Sequence, residues 1–256
     1  MSVHKYAEIH PDADLGENIS IGPFAVIGPN VRIGAGTEIG PHVVIRSGTI
    51  IGPRCRIFHG ASIGGDPQMV HFEDTPSGVE IGEECVIREF VTIHRSAQEN
   101  ENTRIGKNVM LMAYAHIAHD CGIGDHAIIV NGTGLSGHVI VEDFAFISGQ
   151  VGVHQFVRIG RNAMVGGASA VSKDILPFSL VEGAPARLVS INSIGLRRNH
   201  FPPGVRAALK KALKFLLDPD LNTTQAVDKM KAEIEMFEEI RYLIEFINNS
   251  SRGITK

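Results

Sequence analysis

Every sixth residue along most of this chain carries the same kind of side chain. Stepping by six gives Ile9, Leu15, Ile21, Ile27, Ile33, Ile39, Ile45, Ile51, Ile57 and Ile63, and the same phase returns at Ile81 and runs on to Val171. Of the 28 sixth positions from 9 to 171, 25 are Ile, Leu or Val. Those three residues make up roughly a quarter of an ordinary chain, so chance does not produce such a run. A fixed period held this long marks a repeat architecture, in which each repeat buries its apolar side against the next.

The residues around each aliphatic say what the repeat is. Two positions before it the side chain is small or β-branched (Ala25, Val31, Thr37, Val43, Cys55, Ala61, Cys85, Cys121), and a spacing of two puts both on the inner face of a short strand. The residue after it is often Gly, as at Gly22, Gly28, Gly34 and Gly40, which suggests a corner needing positive φ. The chain then turns once per hexad. Three hexads close a triangular coil of 18 residues, and stacking such coils at roughly 4.8 Å gives a parallel β-helix of about nine coils.

The phase breaks at residues 65–78 and again at 96–103, which reads SAQENENT. Each break keeps the count of six, so each is expected to loop out, and loops inserted in a solenoid commonly mark its binding face. The hexads stop near Pro177. Pro202-Pro203 opens a helix with Val205, Leu209, Leu213 and Leu216 on one stripe, and Asn222 with Gln225 forms a capping start for a second helix over about 224–247. The expected organisation is a β-helix over 1–185, mainly β, and a helical domain over 186–256.

Composition excludes some function classes. A net charge of −4 argues against a nucleic-acid binder, since phosphate contacts call for a basic surface. No stretch approaches the roughly 20 apolar residues of a membrane span, and Met1-Ser2-Val3-His4-Lys5 does not begin a signal peptide. Three scattered cysteines, Cys55, Cys85 and Cys121, make no disulfide framework and read as small core residues. A cytoplasmic protein without integral membrane association is expected.

Histidine is the natural general base near neutral pH, and this chain has 12. In an 18-residue coil His119, His138 and His154 lie within one position of a common column on successive coils, with His116 half a hexad earlier. The segments AHIAHDC (115–121), SGHV (136–139) and VHQF (153–156) that carry these histidines resemble the UDP-N-acetylglucosamine acyltransferase family. So do VTIHR (91–95), MVGG (164–167) and GLRR (195–198), and the resemblance spans nearly the whole chain.

That resemblance implies a left-handed β-helix, a handedness that periodicity does not reveal. It implies a homotrimer with active sites between subunits, and transfer of a 3-hydroxyacyl chain from acyl carrier protein to the glucosamine 3-hydroxyl of UDP-N-acetylglucosamine, the first step of lipid A biosynthesis. His119 would be the general base, Asp120 its orienting carboxylate, and the Gly137 N–H an oxyanion donor. His116, His138, His154 and Gln155 would line the substrate groove with Gln68 and His71, and Asn192 and Arg198 would contact the nucleotide portion. Gly167, with Met164 beside it, matches the position that limits acyl chain length. No metal and no cofactor of the protein's own are implied, because the donor brings its phosphopantetheine.

The sequence departs from the family pattern at Met69, where an acid is usual, at His71 for a lysine, at Ile194 for a glutamate and at Asn199 for an arginine. A sugar bearing a 3-amine is therefore a competing acceptor. A zinc-dependent hydratase like the γ-class carbonic anhydrases is a further rival on the same fold, with three histidines as ligands. The acid directly after His119 counts against it. A non-enzymatic scaffold gives no reason for the histidine column. Arg206, Lys210, Lys211 and Lys214 give the first long C-terminal helix a basic side, suited to an acidic carrier protein.

Overall fold

The computed structural model describes residues 2–256. The chain folds into a left-handed parallel β-helix followed by four helices. Most strands are two residues long, each an outward residue followed by the inward aliphatic. They form three sheets of 11, 9 and 8 strands. The register is that of an 18-residue coil, with Ile9 beside Ile27 and Leu15 beside Ile33. Across the two insertions Ile51 pairs with Ile81 and Ile87 with Leu111, so the phase survives both loops. The aliphatic column and the small residues two before it are buried together, Cys55, Cys85 and Cys121 among them.

The corners differ from the expectation. Positive φ falls on the third residue after the aliphatic, at Asn18, Phe24, Asn30 and His42, and not on the glycine that follows it. Among the post-aliphatic glycines only Gly64 is left-handed. The others are glycine because coils stack too closely for a side chain: a Cβ on Gly34 would lie 2.4 Å from the Pro53 nitrogen.

Strand Ser179–Glu182 extends the 11-stranded sheet, and Arg187–Ile191 pairs antiparallel to it, so the expected boundary at 185/186 falls in the turn between them. Four helices follow: α1 (Ser193–Arg198), α2 (Pro203–Leu217), α3 (Thr223–Glu233) and α4 (Glu238–Asn248). The apolar stripe of α2 is buried, and Asn222 with Gln225 forms the capping box of α3. The single helix expected over 224–247 is two helices, interrupted at residues 234–237. A continuous helix of that length would run about 36 Å; the break lets both α3 and α4 pack on α2. α4 in turn holds the solenoid, with Arg158 lying 4.4 Å from the Phe246 ring centre and Arg161 lying 4.1 Å from that of Tyr242.

Candidate active site

The nine-stranded sheet positions the site. On its outer face Val26, Val44, Ser62, Thr92, His116, Gly134, Gly152 and Ala170 stand in register, one per coil. Side chains vanish from this row at Gly134 and Gly152, where an added Cβ would meet nothing within 4 Å. The bare backbone floors a groove of about 690 Å³ lined by Gln68, His116, His119, Gly137, His154 and Gln155, and reaching Ala170 and Pro185. A second cavity, of about 660 Å³, lies over earlier coils beside Arg46, Asp66, Asp74 and Arg95, but its Arg95 is already ion-paired.

His119 and Asp120 sit at a corner at the edge of this groove. His119 Nδ1 and Asp120 Oδ2 are 2.6 Å apart, which leaves Nε2 on the far side of the ring. Asp120 is almost wholly buried, its side chain 4% exposed. Burial pulls its carboxyl upward, yet hydrogen bonds from His119 and Ser96, the imidazole of His138 and the Ala97 N–H together hold it below the ordinary carboxylate value. The Asp120 N–H donates to Thr103 Oγ1 at 2.8 Å. Gly137 lies flat against the His119 ring: a Cβ there would come 2.6 Å from Cε1 and 2.7 Å from Nε2. Glycine is required by that approach and not by its φ.

The other imidazoles are arranged around this pair. His138 Nε2 is 3.6 Å from Asp120 Oδ2, and its ring stands edge-on to His119 and stacks on Phe156. His116 shares a 2.7 Å hydrogen bond with the Thr92 hydroxyl and meets His94 edge-on. Burial lowers the pKa of His116, and burial with the nearby His116 and His119 pushes His94 down to about 4. Both are therefore neutral at pH 7 and suit uncharged hydroxyl groups better than anions.

The first insertion is pinned by Arg95, beside the second cavity. Its guanidinium bonds Asp66 at 3.0 Å, the Thr75 carbonyl at 2.6 Å, Ser77 Oγ at 3.1 Å and Asp74, and lies 5.0 Å from the Phe72 ring centre. Gln68 of the same insertion lines the groove, whereas Met69, Val70 and His71 form an exposed tip.

Other residues expected at the site lie elsewhere on the chain. Asn192 is buried, its side chain capping α1 through the Gly195 N–H and bonding the Asn162 carbonyl. Arg198 is exposed in the last turn of α1, beside a cavity on another corner of the solenoid. Asn199 bonds Asn162 Oδ1, an intramolecular use for the amide where an arginine is usual. Gly167 is at the corner before Ala170, and Met164 is on the 11-stranded sheet. Reasoning from sequence missed Ser96, Thr103, Arg95 and the bare row Gly134–Gly152; only the row had a signal, glycine where earlier coils carry Val26, Val44 and Thr92.

His119, Asp120 and His138 offer ligand atoms within 4.8 Å of one another, the only such group among the described residues. It holds two histidines and a carboxylate, not the three histidines of the hydratase rival, and the carboxylate is taken up by His119 and Ser96.

Residues 174–255 match the family described as Udp N-acetylglucosamine O-acyltransferase, domain 2, and three stretches (12–47, 30–65 and 102–137) match the bacterial transferase hexapeptide repeat. The chain is 46% identical over 255 residues, 99% of each chain, to an acyl-[acyl-carrier-protein]–UDP-N-acetylglucosamine O-acyltransferase from Thermodesulfovibrio yellowstonii. It is 44% identical over 195 residues, 75% of this chain and 76% of the relative, to the enzyme of the same name from Syntrophobacter fumaroxidans. Among solved structures, a UDP-N-acetylglucosamine acyltransferase from Bacteroides fragilis superposes with a TM-score of 0.96 at 40% identity, covering 99% of both chains. The groove, the His119–Asp120 pair and these similarities agree: the chain belongs to the UDP-N-acetylglucosamine O-acyltransferase family.

Proposed function

We propose that this protein transfers a 3-hydroxyacyl chain from acyl carrier protein to the 3-hydroxyl of UDP-N-acetylglucosamine, the first step of lipid A biosynthesis. The observation that carries this reading is the 2.6 Å His119–Asp120 pair at the edge of a groove whose floor is bare backbone at Gly134 and Gly152. The carboxylate fixes the imidazole tautomer, so Nε2 is the basic nitrogen. Nε2 takes the proton of the sugar hydroxyl as its oxygen attacks the thioester carbonyl, and the tetrahedral oxyanion is held by the Gly137 N–H. Collapse breaks the C–S bond, and the proton on His119 goes to the departing phosphopantetheine sulfur. No acyl-enzyme forms. The thiols have no part in this: Cys121, for one, is pushed up to about 12 by burial.

His116, His138, His154 and Gln155 serve the sugar and acyl groups, together with Gln68 from the clamped loop; His71, at the exposed tip, reaches a ligand from outside the groove. Asn192 and Arg198 lie apart from His119 within one chain, which supports a homotrimer in which a neighbouring subunit supplies the nucleotide contacts. There Arg198 meets the diphosphate with its permanent charge and forked donors, and Asn192 holds α1 in place. The protein needs no metal or cofactor of its own in this reading. No helix among the described residues is long and apolar enough to cross a membrane, and three free buried cysteines fit a cytoplasmic setting.

The test offers the purified enzyme a 3-hydroxymyristoyl carrier protein with UDP-N-acetylglucosamine and its 3-amino analogue side by side. Mass spectrometry should find the ester as the main product. Exclusive formation of the amide overturns the hydroxyl acceptor and gives Met69 and His71 a purpose.

The acidic carrier docks, in this reading, on the basic side of α2. Lys211 is less suited to this than its position suggested, because its ammonium already bonds the Glu233 carbonyl at 2.9 Å. Lys210 and Lys214 are exposed. Reversing both charges (Lys210→Glu with Lys214→Glu) should raise KM for the carrier-bound donor several-fold at low salt, shrinking toward unity as salt screens the field. A KM that does not move places docking elsewhere.

A further inference from the structure

We infer that Ser96 is a positioning residue for the catalytic pair, acting through Asp120; this rests on His119 and Asp120 serving as proposed above. Ser96 begins the second insertion, is fully buried, and lies 24 residues before Asp120 in the chain. Its hydroxyl donates to Asp120 Oδ1 while Oδ2 takes His119 Nδ1, so the two carboxylate oxygens are divided between a fixed donor and the base. The direction of that hydroxyl is itself set. Ser96 Oγ accepts the Gln98 N–H at 2.9 Å, which leaves its single hydrogen for an acceptor, and an ionised carboxylate is a stronger one than the Gln98 carbonyl at 3.4 Å.

The backbone of Ser96 is anchored from two sides. Its N–H donates to the Gly78 carbonyl at 3.2 Å, and its own carbonyl accepts the Ser77 hydroxyl at 2.6 Å. Ser77 also bonds Arg95, the clamp of the first insertion. The neighbouring Ala97 N–H reaches Asp120 Oδ2 at 3.4 Å. Both insertions thus close on the carboxylate that orients His119. A carboxylate bound only by His119 could rotate about its terminal torsion, which is broad for Asp, and take the imidazole out of line with the acceptor hydroxyl. The titratable groups around Asp120 are the imidazoles of His119 and His138, with His94 and His116 behind His119, and the buried Cys121 thiol beside it.

The test measures kcat, KM and the pH profile of kcat/KM for Ser96→Ala, Ser96→Thr, Asp120→Asn and Ser96→Ala combined with Asp120→Asn, each checked for wild-type melting. Ser96→Ala should lower kcat about tenfold with KM for both substrates unchanged, as expected for loss of one hydrogen bond to a charged group. Without the donor the carboxylate is more basic and holds imidazolium better, so the acid limb of kcat/KM should move to higher pH. Ser96→Thr keeps the hydroxyl and should restore most of kcat. In the Asp120→Asn background, Ser96→Ala should cost nothing further, because there is no carboxylate left to position. An unchanged kcat, an acid limb that stays or falls, or full additivity with Asp120→Asn overturns the inference. If His119→Ala is inactive while Ser96→Ala keeps full kcat, only the Ser96 role fails. If His119→Ala itself stays active, the base assignment fails first.

Discussion

Replacing His119 by alanine should reduce acyl transfer by 10²–10⁴-fold, the usual contribution of a positioned general base. The loss should appear in kcat, since the imidazole acts on the proton in flight more than on the bound sugar. Folding should survive. The His119 side chain is 14% exposed, and Asp120 keeps Ser96 and the Ala97 N–H when the imidazole is gone. For a chain of this length each kcal/mol moves Tm by about 2–4 °C, so a shift of no more than about 4 °C is expected. Turnover measured with saturating donor and acceptor, beside a melting curve, decides it. A variant that retains more than about a tenth of wild-type turnover removes His119 from the role of base.

The second large effect is a change of donor preference in Gly167→Met. The groove floor formed by Gly134, Gly152 and Ala170 runs along the axis from the His116 coil, three coil steps or roughly 14 Å. Gly167 stands at the corner before Ala170, and in the proposed reading its lack of a side chain leaves the far end of the acyl path open. Two explanations for the glycine differ in what the structure requires of them. Gly166 is confined, since a Cβ there would lie 2.8 Å from Glu182 Cβ. Gly167 is not: a Cβ would meet the Gly149 carbonyl at 3.6 Å, an ordinary contact, and its φ lies outside the left-handed region.

A methionine at 167 should therefore fold, project outward and stop the acyl chain. With roughly 0.8 kcal/mol for each methylene excluded from an apolar groove, a donor longer by about four methylenes loses about 3 kcal/mol, roughly a hundredfold in relative kcat/KM. The wild type should prefer 3-hydroxymyristoyl over 3-hydroxydecanoyl carrier protein, and Gly167→Met should reverse that order. Measuring kcat/KM across a donor series checks it. Equal loss toward every donor would mean that Gly167 is needed for the backbone alone and that chain length is set elsewhere.

The geometry of the candidate site was legible in the sequence where its residues follow the repeat. His119 and Asp120 are chain neighbours, and His116, Gly137, His154 and Gln155 sit at fixed offsets in an 18-residue coil, so the period alone brings them to one groove. It was not legible where an insertion folds back. Nothing in SAQENENT states that Ser96 will be buried against Asp120 while Asn100 and Glu101 stay exposed. Arg95 likewise reads as one more basic residue until Asp66 and Asp74 converge on it.

What the sequence determined by itself was the period, and with it the sheets, the buried column and the coil register, because a solenoid repeats one local solution and each hexad meets only its neighbours. Tertiary structure alone decided the rest. Whether a glycine serves a left-handed corner or a close approach depends on how near the next coil lies, and Gly34 needs glycine because Pro53 of that coil is there. The break between α3 and α4 follows from the packing surface offered by α2, which no propensity within 224–247 encodes. The carboxylate of Asp120 is oriented by two loops whose paths are free in the sequence and fixed only by the hydrogen bonds they find on the finished solenoid.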